Sequence, residues 1–333
     1  MLMVGKLGGA LALSLVLWLA VDWTAALTVL RHAGGTMVLA AFLASIANVL
    51  ISAGKWRILL QRSNIAVGYA TAAQLYWIGA FFSNFLPTGV GGDAARLMMT
   101  PSDQGRAPVA ASILVERLSG LAVMLVLSAM ALALLPLDLG SSRLLTVLVV
   151  VALALLVLSI LYLPAWFLAT LVLLEGIGPR FLQQALSYVR RISASMLGPG
   201  TDAHSVTQAI AWSVPFYGAM MVAQYFMLRA VGADPSVFSV VLGTPLVSLV
   251  ALTPVTINGL FLAEGAFVVV YASAGVAPEV ALAAAIVRRL VDLANSGLGG
   301  GMWLAWHFGI RGVERPGSAR EHHAPSSPAP ARG

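Results

Sequence analysis

Eight stretches of the chain, near 4–21, 34–54, 69–86, 108–135, 143–174, 204–231, 236–253 and 279–309, are almost uninterruptedly apolar. A helix rises 1.5 Å per residue, so about 20 such residues cross the hydrocarbon core of a bilayer. The pattern predicts an all-α polytopic transmembrane bundle of about eight spans. The first run follows Lys6 and, because many spans come after it, reads as an uncleaved first helix. The run at 143–174 exceeds a bilayer and contains Pro164, which predicts a kink or an interfacial end.

Between the runs the polarity changes. Residues 31–35 and 55–68 read as connectors. Residues 179–197 space Phe181, Leu182, Leu186, Val189 and Ile192 at helical intervals, among Arg180, Arg190 and Arg191. That spacing predicts an amphipathic helix lying in the interface. From Arg311 the chain turns polar and rich in Pro, Ser and Ala, so residues 1–310 form the transmembrane domain and 311–333 a disordered polar tail. His322 and His323 fall in that tail, where no further ligands would fix a metal; no metal and no cofactor are expected.

Two places break the apolar pattern. "LPTGVGGDAARL" (86–97) brings Pro87, Gly89, Gly91 and Gly92 directly after an apolar run, followed by Asp93 and Arg96. "LTPVTINGLFLAEGAFVVV" (252–270) repeats the device with Pro254, Asn258, Gly259 and Glu264. Proline removes a backbone donor and glycine lowers the cost of non-helical torsions. Such backbone is tolerated at membrane depth only inside protein or beside a wet cavity. The alternative is a plain extramembrane loop with a helix cap. A charged helix follows each break: "VERLSGL" (115–121) and "VRRLVDL" (287–293) agree at four of seven positions, setting Arg117 on Arg289. Interrupted apolar segments at corresponding places in two halves point to a transporter's binding site. The breaks therefore read as two re-entrant segments of an internal repeat.

The charges fall in with this. Glu116 and Arg117 have apolar neighbours on both sides, and Arg288, Asp292 and Asn295 follow one helix face beside Arg289. A charge at mid-bilayer costs about 2.5–3.5 kcal/mol on insertion scales, so such groups face a bundle interior. They could be internal ion pairs, Arg288 with Asp292 or Glu116 with an arginine of the other half. They could also hold a headgroup, since guanidinium donors grip phosphate in bidentate fashion. In that reading Arg96, Arg117 and Arg289 touch an anionic headgroup while Asp93, Glu116 and Asp292 hold them. Gly297 and Gly301 have GxxxG spacing, expected to mean close helix packing. Trp18, Trp23, Trp56, Trp77, Trp303 and Trp306 read as interface anchors. Asn48, Gln74 and Gln224 read as helix-to-helix hydrogen bonds.

Composition narrows the class. The 333 residues are 59% hydrophobic and 10% charged, against roughly 25% charged in soluble domains. The net charge of +6 reads as topology and contact with anionic headgroups, not nucleic acid. Zero cysteines exclude thiolate chemistry and disulfides. Sorting Lys and Arg by side over eight spans favours cytoplasmic termini, nine to six.

"FFSNFLPTGVGGDAARL", "LVERLSGL", the Pro–Asn–Gly segment with its glutamate and the last Arg-bearing helix together resemble the lysylphosphatidylglycerol synthase transmembrane-domain family, over roughly residues 1–310. The resemblance implies a flippase-like eight-helix bundle with two re-entrant segments that moves lipids between leaflets. It also implies polar motif positions at Asn84, Pro87, Gly91, Gly92, Asp93, Arg96, Glu116 and Arg117, and at Asn258, Gly259, Glu264 and Arg289. The chain departs from the family's pattern at Ala263, where an arginine usually precedes the glutamate, and at Phe261, where glycine is common.

The leading expectation is an integral membrane lipid translocator in a bacterial cytoplasmic membrane. It would move a phospholipid or glycolipid with an anionic or phosphate-bearing headgroup through a polar cavity. A second copy or a lipid-modifying enzyme is the candidate protein partner. No GxxxxGK[ST] occurs, so energy would come from elsewhere. The rivals are a regulatory or scaffold subunit of a lipid-modifying complex and, less favoured, a polytopic lipid-modifying enzyme. No HExxH or GxSxG is present and all five histidines lie outside both breaks, so no enzyme is expected.

Overall fold

The computed structural model describes residues 19, 21–85, 91–103, 105–135, 143–162, 202–252 and 260–308. Among these, all regular structure is helical: α1 Trp23–Arg31, α2 Gly35–Arg62, α3 Tyr69–Phe85, α4 Gly91–Met99, α5 Arg106–Leu134, α6 Arg143–Tyr162, α7 Ala203–Ala230, α8 Val237–Ala251, α9 Leu262–Ser273 and α10 Pro278–His307. Most of the first apolar run, the 179–197 segment, the polar tail, Pro87, Gly89, Pro254, Asn258 and Gly259 lie outside the described residues. Four of the helices, α2, α5, α6 and α7, are long and apolar enough to cross a membrane. The protein is a polytopic helical membrane bundle. On α6, Leu144, Leu145, Leu148 and Leu155 are more than half exposed, an outward apolar face suited to lipid.

Local chemistry sets the helix ends. Asp202 caps α7 by accepting from the Ser205 backbone N–H, and Ser236 caps α8 by accepting from that of Ser239. Pro278 opens α10, where a missing N–H is harmless. The segment 55–62, expected as part of a connector, is instead the last two turns of α2. Its apolar neighbours on both sides continue the helical pattern through Lys55 and Arg57.

Each break joins two antiparallel helices into a hairpin. α3 runs back along α2, with Ala73 and Trp77 against Val49 and Ala53. α4 then returns along α3: a Cβ on Gly92 would stand 2.1 Å from Ser83 Oγ and 2.2 Å from the Gly79 carbonyl oxygen. Only glycine permits that approach. α5 restarts at the end where α3 began, since Val109 packs with Trp56, Leu60 and Leu75. In the second half α9 returns along α8, with Gly243 against Val270 and Tyr271.

The helix contacts repeat with period five. Exchanging α1–α5 with α6–α10 turns the α3–α10 contact into α8–α5, α2–α10 into α7–α5, α2–α5 into α7–α10, and α1–α10 into α6–α5. α2 and α7 both have 28 residues and pack on each other antiparallel. Gly34 N–H meets the Ala230 carbonyl at 2.7 Å, Asn48 Nδ2 donates to the Phe216 carbonyl at 2.8 Å, and Lys55 Nζ donates to Ser213 Oγ at 2.8 Å. Asn48 and Phe216 are each the fourteenth residue of their helix, so a pseudo-two-fold axis passes beside them, perpendicular to the helices. For membrane-spanning helices that axis lies in the membrane plane. The halves are thus related as inverted repeats.

Candidate functional site

The third residue of α4 is Asp93 and the third of α9 is Glu264; the twelfth of α5 is Arg117 and the twelfth of α10 is Arg289. These four make two equivalent ion pairs. Arg117 donates from Nε to Asp93 Oδ2 at 3.0 Å and from Nη2 to Oδ1 at 2.9 Å. Arg289 reaches Glu264 Oε1 from Nε at 2.8 Å and from Nη2 at 2.6 Å. The alignment that set Arg117 on Arg289 is reproduced in space.

In the first half a buried arginine ties the pair to the core. Arg96 is 2% exposed and donates to Asp93 Oδ1 at 2.6 Å and to Glu116 Oε2 at 2.7 Å. Its guanidinium also lies over the rings of Trp56, at 4.7 Å, and Tyr76, at 4.5 Å. A desolvated contact of this kind contributes about 2 kcal/mol. Tyr76 Oη donates to Glu116 Oε1 at 2.7 Å, which completes the carboxylate's partners. Beneath it, buried Lys55 donates to the Glu116 backbone carbonyl at 3.0 Å. Arg96 is therefore a strut, held on its acidic and aromatic neighbours, and Glu116 pairs within its own half.

The second half lacks that strut. The position in α9 that matches Arg96 is Phe267, fully buried against Tyr271. Glu264 Oε2 is accordingly buried with no partner among the described residues. Glu116 is matched by Arg288, which stands 3.8 Å from Asp292, a loose pair with both side chains partly exposed. The expected grouping of Asp292 with Arg289 gives way to Glu264 with Arg289.

Between the two sets lies a cavity of about 410 Å³. Asn84, Gly92, Asp93, Arg96 and Arg117 line it from the first half, and Arg288, Arg289, Asp292 and Asn295 from the second. Arg117 is 53% exposed, so it keeps guanidinium surface available. Gly91 and Gly92 are the first residues of α4, not part of the break proper.

Trp56 is fully buried beneath Arg96, and Trp77 donates to Asn295 Oδ1 at 2.7 Å, so neither is an interface anchor. Trp56, between Lys55 and Arg57, reads as part of a connector, and Trp77, inside an apolar run, gives no sign of its partner. Lys55, counted as a loop cation, is an interior one. Gly297 and Gly301 have open space beside them; the close contact is made by Gly299, where a Cβ would stand 1.9 Å from the Trp77 carbonyl oxygen, and by Gly300. Asn48 and Gln224 do bond other helices, the latter to Tyr271 Oη at 3.3 Å.

The family model described as the lysylphosphatidylglycerol synthase TM region matches residues 6–299. The chain belongs to that family, and is an integral membrane protein of lipid metabolism or transport. No curated protein and no solved structure matches it.

Proposed function

We propose that the protein moves a phospholipid or glycolipid between the leaflets of a bacterial cytoplasmic membrane, without chemistry on the lipid. The observation that carries this reading is the cavity of about 410 Å³, polar and lined by arginines of both repeats, inside an apolar bundle. Both halves contribute an arginine held by a carboxylate at the same position. Inverted repeats that meet at a central site allow one half to rock against the other, opening the site to each leaflet in turn. The α3–α4 and α8–α9 hairpins enter the membrane from opposite sides as re-entrant segments. Partly exposed guanidinium groups suit a phosphate oxygen, and the acyl chains remain in lipid.

The hairpins also re-sort the basic residues. Arg57, Arg62 and Arg106 share the end where α10 finishes, while Arg31, Arg143 and Arg229 occupy the other. With the further arginines that follow His307 in the sequence, the first end is cytoplasmic by the excess of positive charge. This arrangement keeps the C-terminus inside.

Purified protein in liposomes carrying fluorescent phosphatidylglycerol tests the reading. Dithionite, which bleaches only the outer leaflet, should remove nearly all the fluorescence with protein present and about half without it. A plateau at half in both would exclude translocation by the protein alone and favour a regulatory or scaffold role.

A further inference from the structure

A second cavity of about 200 Å³ adjoins the first and shares Tyr76, Arg117, Ser248 and Leu252 with it. Its place is dictated by the repeat. The first cavity occupies the cleft of α10, α2 and the tip of α3, and the second occupies the equivalent cleft of α5, α7 and the tip of α8. Residue by residue, the linings correspond by position within the paired helices. Asn48 on α2 answers to Phe216 on α7, and Asn84 on α3 to Leu252 just past α8. Asp292 on α10 answers to Gly120 on α5, and Ser296 to Met124. All eight line their respective cavities. At these four matched positions a polar side chain in the first cleft answers to an apolar or absent one in the second. Arg288 and Arg289 answer to the charged Glu116 and Arg117, while Val49 and Ala80 answer to Tyr217 and Ser248.

The second cleft thus adds an apolar wall of Phe216, Met220, Met124 and Leu121 to a charged end, where the first is polar along most of its length, and the pair fits a ligand with two unlike parts. Resting on the lipid reading above, we infer that the repeat has diverged into a headgroup cleft and an acyl cleft that hold one lipid molecule. The headgroup lies beside Asn48, Asn84 and Asp292. The chain leaves the glycerol past Arg117, which lines both cavities, and its first carbons lie against Phe216, Met220 and Met124. The polar end of the second cavity, with Lys55 and Glu116, is the end that Arg117 also lines, so the phosphate belongs at this shared wall. At about 30 Å³ per water-sized group, the second cavity takes roughly the first half-dozen methylenes of one chain. The remainder stays in the bilayer. Methionine suits such a wall because it adapts to a moving chain.

Photocrosslinking in liposomes tests this without requiring transport. One phosphatidylglycerol probe carries a diazirine on the acyl carbon next to the ester, and a second carries it on the headgroup. The acyl probe should label peptides containing Met124, Phe216 or Met220, and the headgroup probe those of α3 and α10. Met124→Trp, which fills the smaller cavity, should lower acyl labelling roughly tenfold and leave headgroup labelling unchanged. Both probes in the same cleft, or an acyl probe confined to the outer face of α6, would overturn the assignment. If labelling follows the prediction while dithionite shows no translocation, the two-cleft site stands and the transport reading falls.

Discussion

At the residue scale, the site is built on Arg96. It is enclosed by two rings and two carboxylates, so removing its charge leaves Glu116 buried and short of a partner. Breaking a buried pair from one side costs about 3–5 kcal/mol. Arg96→Met should therefore lower thermal stability in detergent sharply, while Arg96→Met combined with Glu116→Gln recovers much of it. If the single variant melts with the parent, Arg96 is not a strut. A second residue carries visible strain. Phe261 sits at φ 62, the left-handed region, as it enters α9. A bulky side chain there costs about 1–2 kcal/mol, so Phe261→Gly should raise the melting temperature unless its ring contacts outweigh the gain. A fall would show that they do.

At the element scale, the hairpins decide which parts of the chain share an end. Apolar runs, glycine and proline breaks and the matched arginines were all legible in the sequence, because bilayer crossing and non-helical torsion impose them directly. That the runs at 69–86 and 236–253, counted among the spans, are themselves arms of the hairpins was not: an apolar run long enough to span looks the same when it turns back inside the bundle. Lys55 and Trp56 were misplaced for a related reason. Lys55 and Arg57 beside Trp56 look like the start of a polar connector. A bundle buried in lipid gives no periodic inner face that would have shown them to lie inside a helix, as a water-soluble helix would. The hairpin geometry is open to a direct check in this cysteine-free chain. Gln61→Cys and Asp103→Cys should react with an impermeant maleimide from one side of the membrane, and His32→Cys from the other. Reaction of Asp103→Cys from the side of His32→Cys would mean that α3 crosses fully and that no hairpin forms.

At the scale of the whole molecule, the inverted repeat makes the two ion pairs equivalent in position and unequal in support. Asp93 is shared between Arg117 and Arg96, while among the described residues Glu264 pairs with Arg289 only. Both arginines line the central cavity, and the account holds that they act on the lipid and not merely on the fold. The most direct measurement is the dithionite assay on Arg117→Gln and Arg289→Gln in liposomes, with each variant first shown to match the parent's melting and reconstitution. The account predicts that either substitution reduces translocation of phosphatidylglycerol at least about tenfold, equivalent to one lost charge-assisted contact of about 1.5–3 kcal/mol. Lysine at either place should restore it only in part, because the bidentate grip is lost. Glutamine variants that move lipid at the parent's rate would contradict the account, leaving both arginines as supports and the cavity without its assigned role.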